Sequence, residues 1–558
     1  RNDDLIGQIS KLFRRRPLDT PSDVIQTPDG QIFVADTGNS KIRRIYKVRP
    51  VIPTLDDNHL VAIEGKLLVF NEQLQLSQVL DPLSLTPVEE YEYDDDGALS
   101  IYRNGQGLET LFATDKWGRI TEIQGAHGYV TTLHYDDDNQ LEQVEWPNGS
   151  IHTFGYKGDG LLNKVTTPAD RVTKWDYDES GRIDKMTKAN GAATNFVSII
   201  ESTKRTHAYY TPEGEAMVYE DFKEGDGWTS QITTPLGGQH LDLVDSDTGQ
   251  VTRVDPTGTS REITYALDPV YGTRYAQKVI TVLPSGTSTE SYTVREIDLD
   301  GANATFRNVV NGNELVQDWD LATYESTVTT PEGRVARTQF NENWSQVLSN
   351  QQGSLHPTTY EFDDQGRVSA EVNGERSVTY DYSVDDCRIR TAPTGETTTI
   401  CWDELTRTNL KILNDESEWF FEYDADFGLS KVIAPNGLET VIEYDDVGGT
   451  SKYITTGGTE FAFERNLDGE RTKVIYPDGT VETLERTHGV VTKQNFGDWS
   501  NEYQLKADGS ERLAGAASGD GVVMAFGHDG DYLTEISFTG FFNALVKHTL
   551  GDDFKTSA

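Results

Sequence analysis

Basic residues are scarce in this sequence. The chain has 49 Lys and Arg residues against 92 Asp and Glu residues, which gives a formal net charge of -43. Such a surface repels nucleic acid and anionic membranes, so we expect no nucleic-acid partner. Long apolar runs are also missing: no stretch of about 18 apolar residues could span a bilayer, and Arg1–Arg16 contain no apolar core of a signal peptide. The sequence therefore predicts no membrane span in this segment.

Motifs of common catalytic and metal sites are missing as well. The 10 histidines form no His-x-x-x-His or Cys-His cluster with zinc spacing. Gly-x-Ser-x-Gly, phosphate-loop and dinucleotide-binding motifs do not occur. The Asp triplets Asp94–Asp96 and Asp136–Asp138, and the segment Asp298–Gly301, could bind calcium, but they lack the spaced acids and distal Glu of a calcium loop. We interpret them as turns, and we predict no catalytic residue, metal or cofactor in this segment.

Methionine and cysteine are rare, with 3 and 2 residues, whereas Gly (50) and Tyr (25) are abundant. This balance favours strands and turns over helices. An apolar content of 35% over 558 residues is enough for a large folded core. The chain is therefore predicted to be all-β.

An internal repeat of 21 residues dominates the sequence. Each repeat contains an Asp-x-x-Gly turn and, further on, a Pro-x-Gly turn, which suits a three-residue hairpin loop with a bulge. Two turns in 21 residues leave about five or six residues for each strand, so the unit is predicted to be a β-hairpin. The turn glycines that we single out are Gly97, Gly118, Gly149, Gly181, Gly395, Gly437 and Gly479.

Aromatic residues alternate with acids before each Asp turn, as in Trp175-Asp176-Tyr177. Alternation with a period of two places the rings on one face of a sheet and the acids on the other. We predict that the tyrosines of this column pack as the repeated core. They are Tyr93, Tyr135, Tyr156, Tyr177, Tyr423 and Tyr444.

The repeat resembles the unit of the YD-repeat (RHS) family, in which Tyr-Asp is followed by Gly-Arg and an aliphatic residue. Tyr177–Ile183 and Phe362–Val368 carry this pattern, and the resemblance extends over roughly Glu89–Gly540. It implies a spiral of antiparallel β-hairpins that forms a hollow, non-catalytic shell. Residues 89–558 are accordingly predicted to be part of such a shell.

The same resemblance implies two functions from different classes. In bacterial RHS proteins the shell encapsulates a C-terminal toxin or effector domain, and this is the function that we expect, with that cargo domain as the partner. The alternative is a cell-surface adhesion module resembling teneurins, with a surface protein or glycan as the partner. A weaker alternative is a carbohydrate-binding wall protein. All three imply an extracellular or cell-surface location.

Ahead of the repeats, the segment Pro21–Ile45 resembles a blade of an NHL-type β-propeller. We therefore predict that residues 1–50 are the last part of such a propeller and that residues 51–88 join it to the shell. A lone blade cannot bury its own faces, so we expect the chain to be a fragment of a longer protein. A propeller followed by YD repeats is the order found in teneurins and their bacterial relatives.

The two cysteines lie symmetrically about the loop Pro393–Gly395. Counting outward along the hairpin places Cys387 and Cys401 opposite each other in a non-hydrogen-bonded pair, where the Cα atoms are about 4.5 Å apart. This spacing allows a cross-strand disulfide, and buried free thiols are the alternative. A disulfide would favour an oxidising, extracytoplasmic compartment.

Overall fold

The computed structural model describes residues 59–63, 66–158, 160–224, 227–245, 248–268, 270, 272–298, 301–414, 416–540 and 543–550, and the backbone of short strands at 21–26, 32–36, 41–45 and 556–557. Every regular element among these residues is a β-strand. The predicted all-β class is therefore confirmed.

The first half of the chain contains strands β1 to β26. Their bounds are β1 Pro21–Gln26, β2 Ile32–Asp36, β3 Lys41–Ile45, β4 His59–Ile63, β5 Lys66–Phe70, β6 Leu76–Leu80, β7 Pro87–Tyr93, β8 Leu99–Asn104, β9 Glu109–Thr114, β10 Ile120–Gln124, β11 Val130–Tyr135, β12 Leu141–Glu145, β13 Ile151–Tyr156, β14 Leu162–Thr166, β15 Val172–Tyr177, β16 Ile183–Thr187, β17 Ala193–Ile200, β18 Lys204–Tyr210, β19 Ala216–Glu224, β20 Gly227–Thr233, β21 Gln239–Val244, β22 Val251–Val254, β23 Ser260–Leu267, β24 Arg274–Val282, β25 Ser288–Asp298 and β26 Asn303–Val310.

The second half contains strands β27 to β51. Their bounds are β27 Asn313–Asp320, β28 Glu325–Thr329, β29 Val335–Phe340, β30 Val347–Gln352, β31 Thr358–Phe362, β32 Val368–Asn373, β33 Arg376–Asp381, β34 Cys387–Thr391, β35 Thr397–Trp402, β36 Thr408–Leu413, β37 Ser417–Tyr423, β38 Leu429–Ile433, β39 Glu439–Tyr444, β40 Thr450–Ile454, β41 Glu460–Arg465, β42 Arg471–Ile475, β43 Val481–Thr487, β44 Val490–Phe496, β45 Trp499–Leu505, β46 Leu513–Ser518, β47 Val523–Asp529, β48 Tyr532–Thr539, β49 Ala544–Lys547, β50 Thr549–Leu550 and β51 Thr556–Ser557.

Strands β4 to β49 form one antiparallel sheet in which each strand pairs with its neighbours in sequence, from β4 with β5 to β48 with β49. The sheet therefore contains 46 strands in chain order. Its first strand begins at His59, so β4 to β6 of the segment predicted as a junction are hydrogen-bonded into the same sheet as the repeats. The predicted spiral of hairpins is confirmed.

Strands β1 to β3 form a separate three-stranded antiparallel sheet. This part of the chain carries the predicted propeller blade, but Thr27–Gly30, its Pro-x-Gly turn, lies outside the described residues. The assignment of residues 1–50 to a propeller stays a prediction.

Two kinds of hairpin loop alternate along the sheet. Loops such as Asp94–Gly97 follow odd-numbered strands and define what we call the Asp edge. Loops such as Pro393–Gly395 follow even-numbered strands and define the Pro edge. The two edges are opposite because consecutive strands run in opposite directions.

Both loops share one backbone geometry. At the Asp edge, the Gly97 N–H donates to the Asp94 carbonyl (3.0 Å), and the Asp94 carboxylate accepts the N–H of Ala98 (2.8 Å). At the Pro edge, the Gly395 N–H donates to the Ala392 carbonyl (2.9 Å). In each loop the glycine has a left-handed backbone, which is the geometry of a type I turn followed by a bulge. The singled-out turn glycines have φ between +75° and +86°: Gly97, Gly118, Gly149, Gly181, Gly395, Gly437 and Gly479.

The sheet has little buried core. Its one packed cluster of buried residues among those described is Leu67, Val69 and Leu80 near the start of the sheet. The chain exposes 33100 Å², whereas a compact protein of its mass exposes roughly 20,000 Å². The excess indicates that most of the chain is a wall one sheet thick, with both faces accessible.

The left-handed glycines give a first prediction. We expect Gly395→Val to lower the free energy of unfolding by about 1–3 kcal/mol, because a branched side chain at positive φ is strained. A new Cβ at Gly395 meets nothing within 4 Å, so the loss would come from the backbone and not from a clash. Chemical denaturation would measure it.

Gly125→Val is the matched control. A Cβ at Gly125 also meets nothing within 4 Å, and the φ of Gly125 does not lie in the left-handed region. An equal loss of stability in the two variants would contradict the role that we assign to φ.

Candidate functional site

The tyrosine of each repeat connects its own Asp loop to the preceding one. Each tyrosine ends a strand, and its hydroxyl donates to the carbonyl of the residue that begins the strand after the previous Asp loop. Tyr135, for example, ends β11 and bonds to Ile120, the first residue of β10. The O···O distances are 2.8 Å for Tyr93, 2.8 Å for Tyr135, 3.0 Å for Tyr156, 2.5 Å for Tyr177, 2.6 Å for Tyr423 and 2.8 Å for Tyr444.

These rings are half-buried. Burial raises the pKa of Tyr93, Tyr156, Tyr423 and Tyr444, so the hydroxyls stay protonated as donors. Their role is to join neighbouring hairpins in a sheet that has no second layer packed on it.

The arginine after the turn explains the Asp-x-x-Gly-Arg pattern, and it acts in the same way in the loop Asp403–Arg407, where Thr406 at φ +60° stands in the glycine position. Arg407 Nε donates to Asp403 Oδ2 at 2.9 Å, and the guanidinium carbon lies 4.3 Å from the ring centre of Tyr423. Burial alone would raise the pKa of Asp403, but hydrogen bonds from the Arg407 side chain and from the N–H groups of Arg407 and Leu405 outweigh it and hold the pKa below its usual value. The arginine thus binds its own loop and stacks on the tyrosine of the next repeat.

The same arrangement recurs twice more with similar distances. The sets are Asp115, Arg119 and Tyr135 (2.7 and 4.4 Å) and Asp363, Arg367 and Tyr382 (2.8 and 4.0 Å). Recurrence at distant points of the chain shows that the motif builds the wall and belongs to no single site.

Tyr423→Phe should destabilise the protein by about 1–2 kcal/mol, because it leaves the half-buried carbonyl of Thr408 without its donor while keeping the ring. Tyr453→Phe is the control, since the hydroxyl of Tyr453 bonds to no described residue and its side chain is exposed. Equilibrium denaturation of both variants would test the role of the hydroxyl. A neutral Tyr423→Phe would show that the ring alone holds the hairpins together.

The Asp edge of later repeats contacts the Pro edge of earlier ones. Asp426, in the loop between β37 and β38, accepts hydrogen bonds from Thr167 Oγ1 (2.8 Å) and from the Ala169 N–H (2.7 Å). Both donors lie in the loop between β14 and β15. Arg171 Nη1 adds a charged bond to the same carboxylate at 2.6 Å. The two loops are 23 strands apart.

A second pair of loops repeats this contact with the same chemistry. Asp468, between β41 and β42, accepts from Thr211 Oγ1 (2.7 Å) and from the Glu213 N–H (3.0 Å), both between β18 and β19. Further along, the Ser285 N–H donates to Asp529 Oδ1 at 2.9 Å, again across 23 strands. We call this line of contacts the seam.

The seam means that the sheet turns back on itself after 23 strands. The first turn then runs from β4 to β26 and the second from β27 to β49. Exposure agrees with this at two contacts: Pro168 and Pro212, whose loops bond to Asp426 and Asp468, are half-buried, whereas Pro393, Pro435 and Pro477, in the second turn, are exposed. The seam closes the wall between the two turns.

Near the seam, the sulfurs of Cys387 and Cys401 are joined in a disulfide, with Cα atoms 4.0 Å apart. Tyr129, in the first turn, lies across the seam, and its hydrogen bond to Asp386 raises the pKa of the phenol to about 12. Cys387, Asp386 and Tyr129 line one cavity of about 650 Å³. The disulfide therefore fixes the strand next to a contact between turns.

Removing the disulfide should lower stability by about 3 kcal/mol, since it closes a loop of about 15 residues in the unfolded chain. The double variant Cys387→Ser/Cys401→Ser and reduction of the wild type should give equal losses in denaturation experiments. If reduction leaves the unfolding transition unchanged, the bond does not stabilise this hairpin.

The residues of the seam were not predicted. Asp426 and Asp468 are two repeats apart, 42 residues, and each is the third residue of its Asp loop. Within one repeat this position is an ordinary turn position, and only the partners some 255 to 259 residues away make it functional. A search for a second, longer period in the sequence could have found it.

Among the described residues, no group of three or more His, Cys, Asp or Glu side chains is arranged to hold a metal ion. Within the same residues, no helix is long and apolar enough to cross a membrane.

Comparison with known proteins finds a family model that is similar to the first part of the chain. The family model described as teneurin YD-shell matches residues 19–276. This match confirms the predicted resemblance to YD-repeat shells, and it includes β1 to β3 together with the first turn up to β24. No curated protein sequence matches the chain.

The chain is also weakly similar to solved structures, among them the following two. The crystal structure of TcdB2-TccC3 is 10% identical, with a TM-score of 0.35, over 83% of this chain and 35% of that one. The Photorhabdus luminescens Tc holotoxin pore is 12% identical, with a TM-score of 0.35, over 94% of this chain and 32% of that one. The chain spans about a third of the length of these structures, and at such scores they carry no inference about its function.

Proposed function

We propose that this YD-repeat shell is the non-catalytic wall of a container that encloses a cargo polypeptide outside the cell. The seam carries the proposal. A single sheet of 46 strands that returns on itself and bonds edge to edge is suited to separating an interior from solvent. A protein built around a catalytic pocket would instead bury a larger core.

The chemistry of the seam supports a wall that stays closed. Carboxylates of Asp426 and Asp468 each accept one hydroxyl and one backbone N–H from the other turn, and charge-assisted hydrogen bonds are roughly twice as strong as neutral ones. These bonds give partners to the hydroxyl and N–H groups of the Pro loops, which would bond to water at an open edge. The disulfide supports the extracellular part of the proposal, since such bonds persist in oxidising compartments.

The decisive test is electron cryo-microscopy of the full-length protein, combined with limited proteolysis. We expect density enclosed by the wall and a protected polypeptide that the protease reaches only after denaturation. The double variant Asp426→Ala/Asp468→Ala should speed cleavage of that polypeptide several-fold, because it removes five hydrogen bonds across the seam.

Asp138→Ala is the matched control. Asp138 occupies the same third loop position at the Asp edge of the first turn, where it is exposed and bonds to no described residue. The Asp138→Ala variant should protect the enclosed polypeptide from the protease as well as the wild type does. Rapid cleavage in this control, or in the wild type, would contradict a closed wall.

The match to teneurin YD-shells favours a second candidate, a cell-surface recognition module. An intact wall with no enclosed density and no protected fragment would contradict the container and favour this alternative.

A further inference from the structure

The seam contains a cavity whose lining differs from the rest of the wall. Its volume is about 420 Å³, within the range of roughly 300–1,000 Å³ typical of small-molecule sites. One side is formed by Pro loops of the first turn, 81–88 and 104–106. The other side is formed by the second turn, at 319–321 and 340–345.

The floor of the cavity is aromatic. Trp344 is the centre of a cluster in which its ring centroid lies 5.6 Å from Trp319, 5.1 Å from Phe340 and 5.8 Å from Tyr324. Three of these residues, Trp319, Phe340 and Trp344, line the cavity. They provide a broad apolar surface at the junction of the two turns.

Trp344 occupies a position that the repeat normally gives to glycine. Its N–H donates to the Asn341 carbonyl at 3.0 Å, as the Gly366 N–H does to Asp363 in the next Asp loop. The φ of Trp344 is +58°, which is strained for a residue with a side chain. The sequence thus places a large side chain at a backbone position that favours glycine. The formation of the turn does not require this side chain.

The rim of the cavity is polar and has free hydrogen-bonding capacity. Asn343 Oδ1 accepts from the Ser345 N–H and hydroxyl, but its Nδ2 donates to no described residue. The same holds for Asn104 Nδ2 and for the whole side-chain amide of Gln106 among the residues that the structure describes. In the floor, the buried indole N–H of Trp319 also bonds to no described residue.

Flat aromatic rings beside amide groups whose N–H donors bond to no described residue suit one class of small molecule. A sugar ring has an apolar face of C–H groups, which packs on an aromatic ring, and hydroxyls at its edge, which bond to amides. The carboxylate of Asp81 also lines the cavity, and the net charge is -43, so acidic sugars would be repelled. We propose that this cavity binds a neutral saccharide, with Trp344 and Trp319 under the ring and Asn343 and Gln106 at its hydroxyls.

The proposal can be tested by fluorine NMR on the full chain labelled with 5-fluorotryptophan. The sequence has 9 tryptophans, and spectra of Trp319→Phe and Trp344→Gly would assign the two floor signals. The probes are maltose and N,N′-diacetylchitobiose up to about 20 mM, above the millimolar Kd expected for a small open site. A disaccharide containing glucuronic acid serves as the anionic probe.

We expect saturable shifts of both floor signals with at least one neutral disaccharide, and no shift with the anionic one. Trp344→Gly should weaken binding by about tenfold or more, and glycine suits the left-handed backbone, so this variant should fold. Asn343→Ala should also weaken binding. Trp117→Gly, which removes an exposed tryptophan outside the cavity, should bind like the wild type.

Three results would overturn the proposal. They are the absence of saturable shifts with both neutral probes, unchanged affinity in Trp344→Gly, and equal binding of the anionic probe. None of them depends on whether the shell encloses a cargo.

Discussion

A sheet that is one layer thick has no opposing layer to cover it, and this constraint accounts for most of what the repeat contains. In a sandwich or barrel, side chains from facing layers interdigitate and supply the hydrophobic stabilisation. Here, few side chains are fully buried, so each hairpin must obtain its stability from the hairpins beside it and from the turn above or below it.

Lateral stabilisation comes from the Tyr, Asp, Gly and Arg of the repeat acting together. Glycine permits the left-handed turn, aspartate accepts the N–H groups of that turn, and arginine binds the aspartate. The same arginine stacks on the next tyrosine, whose hydroxyl bonds back to the previous repeat, as in the set of Asp115, Gly118, Arg119 and Tyr135. These contacts are between neighbours in sequence, so they form a chain of local interactions that can continue through any number of repeats.

Local repetition is also the reason that the fold was predictable. The 21-residue period, the turn types and the pairing of Cys387 with Cys401 all depend on residues of one or two hairpins, and the structure has the corresponding turns and register. The seam was not predictable in the same way. Asp426 and Thr167 are 259 residues apart, and nothing in a single repeat tells which loops meet when the sheet has turned.

The cavity floor illustrates a different limit. Trp344 interrupts the glycine column of the repeat, and from the sequence alone this is an irregularity in a turn. Only the structure brings Trp319 and Phe340 to it and places the Pro loops of the first turn opposite. Departures from a repeat are therefore informative about function once the geometry is known, because the repeat itself specifies only the wall.

The offset of 23 strands between partner loops has a consequence for how such a chain can change. Because an offset of 23 strands is odd, the Asp edge of one turn always meets the Pro edge of the other. Gain or loss of one hairpin within a turn would shift every later loop by two strands and give each carboxylate a new partner. Changes in the circumference of the wall therefore require compensating changes a full turn away, whereas whole turns can be added without altering any existing pair.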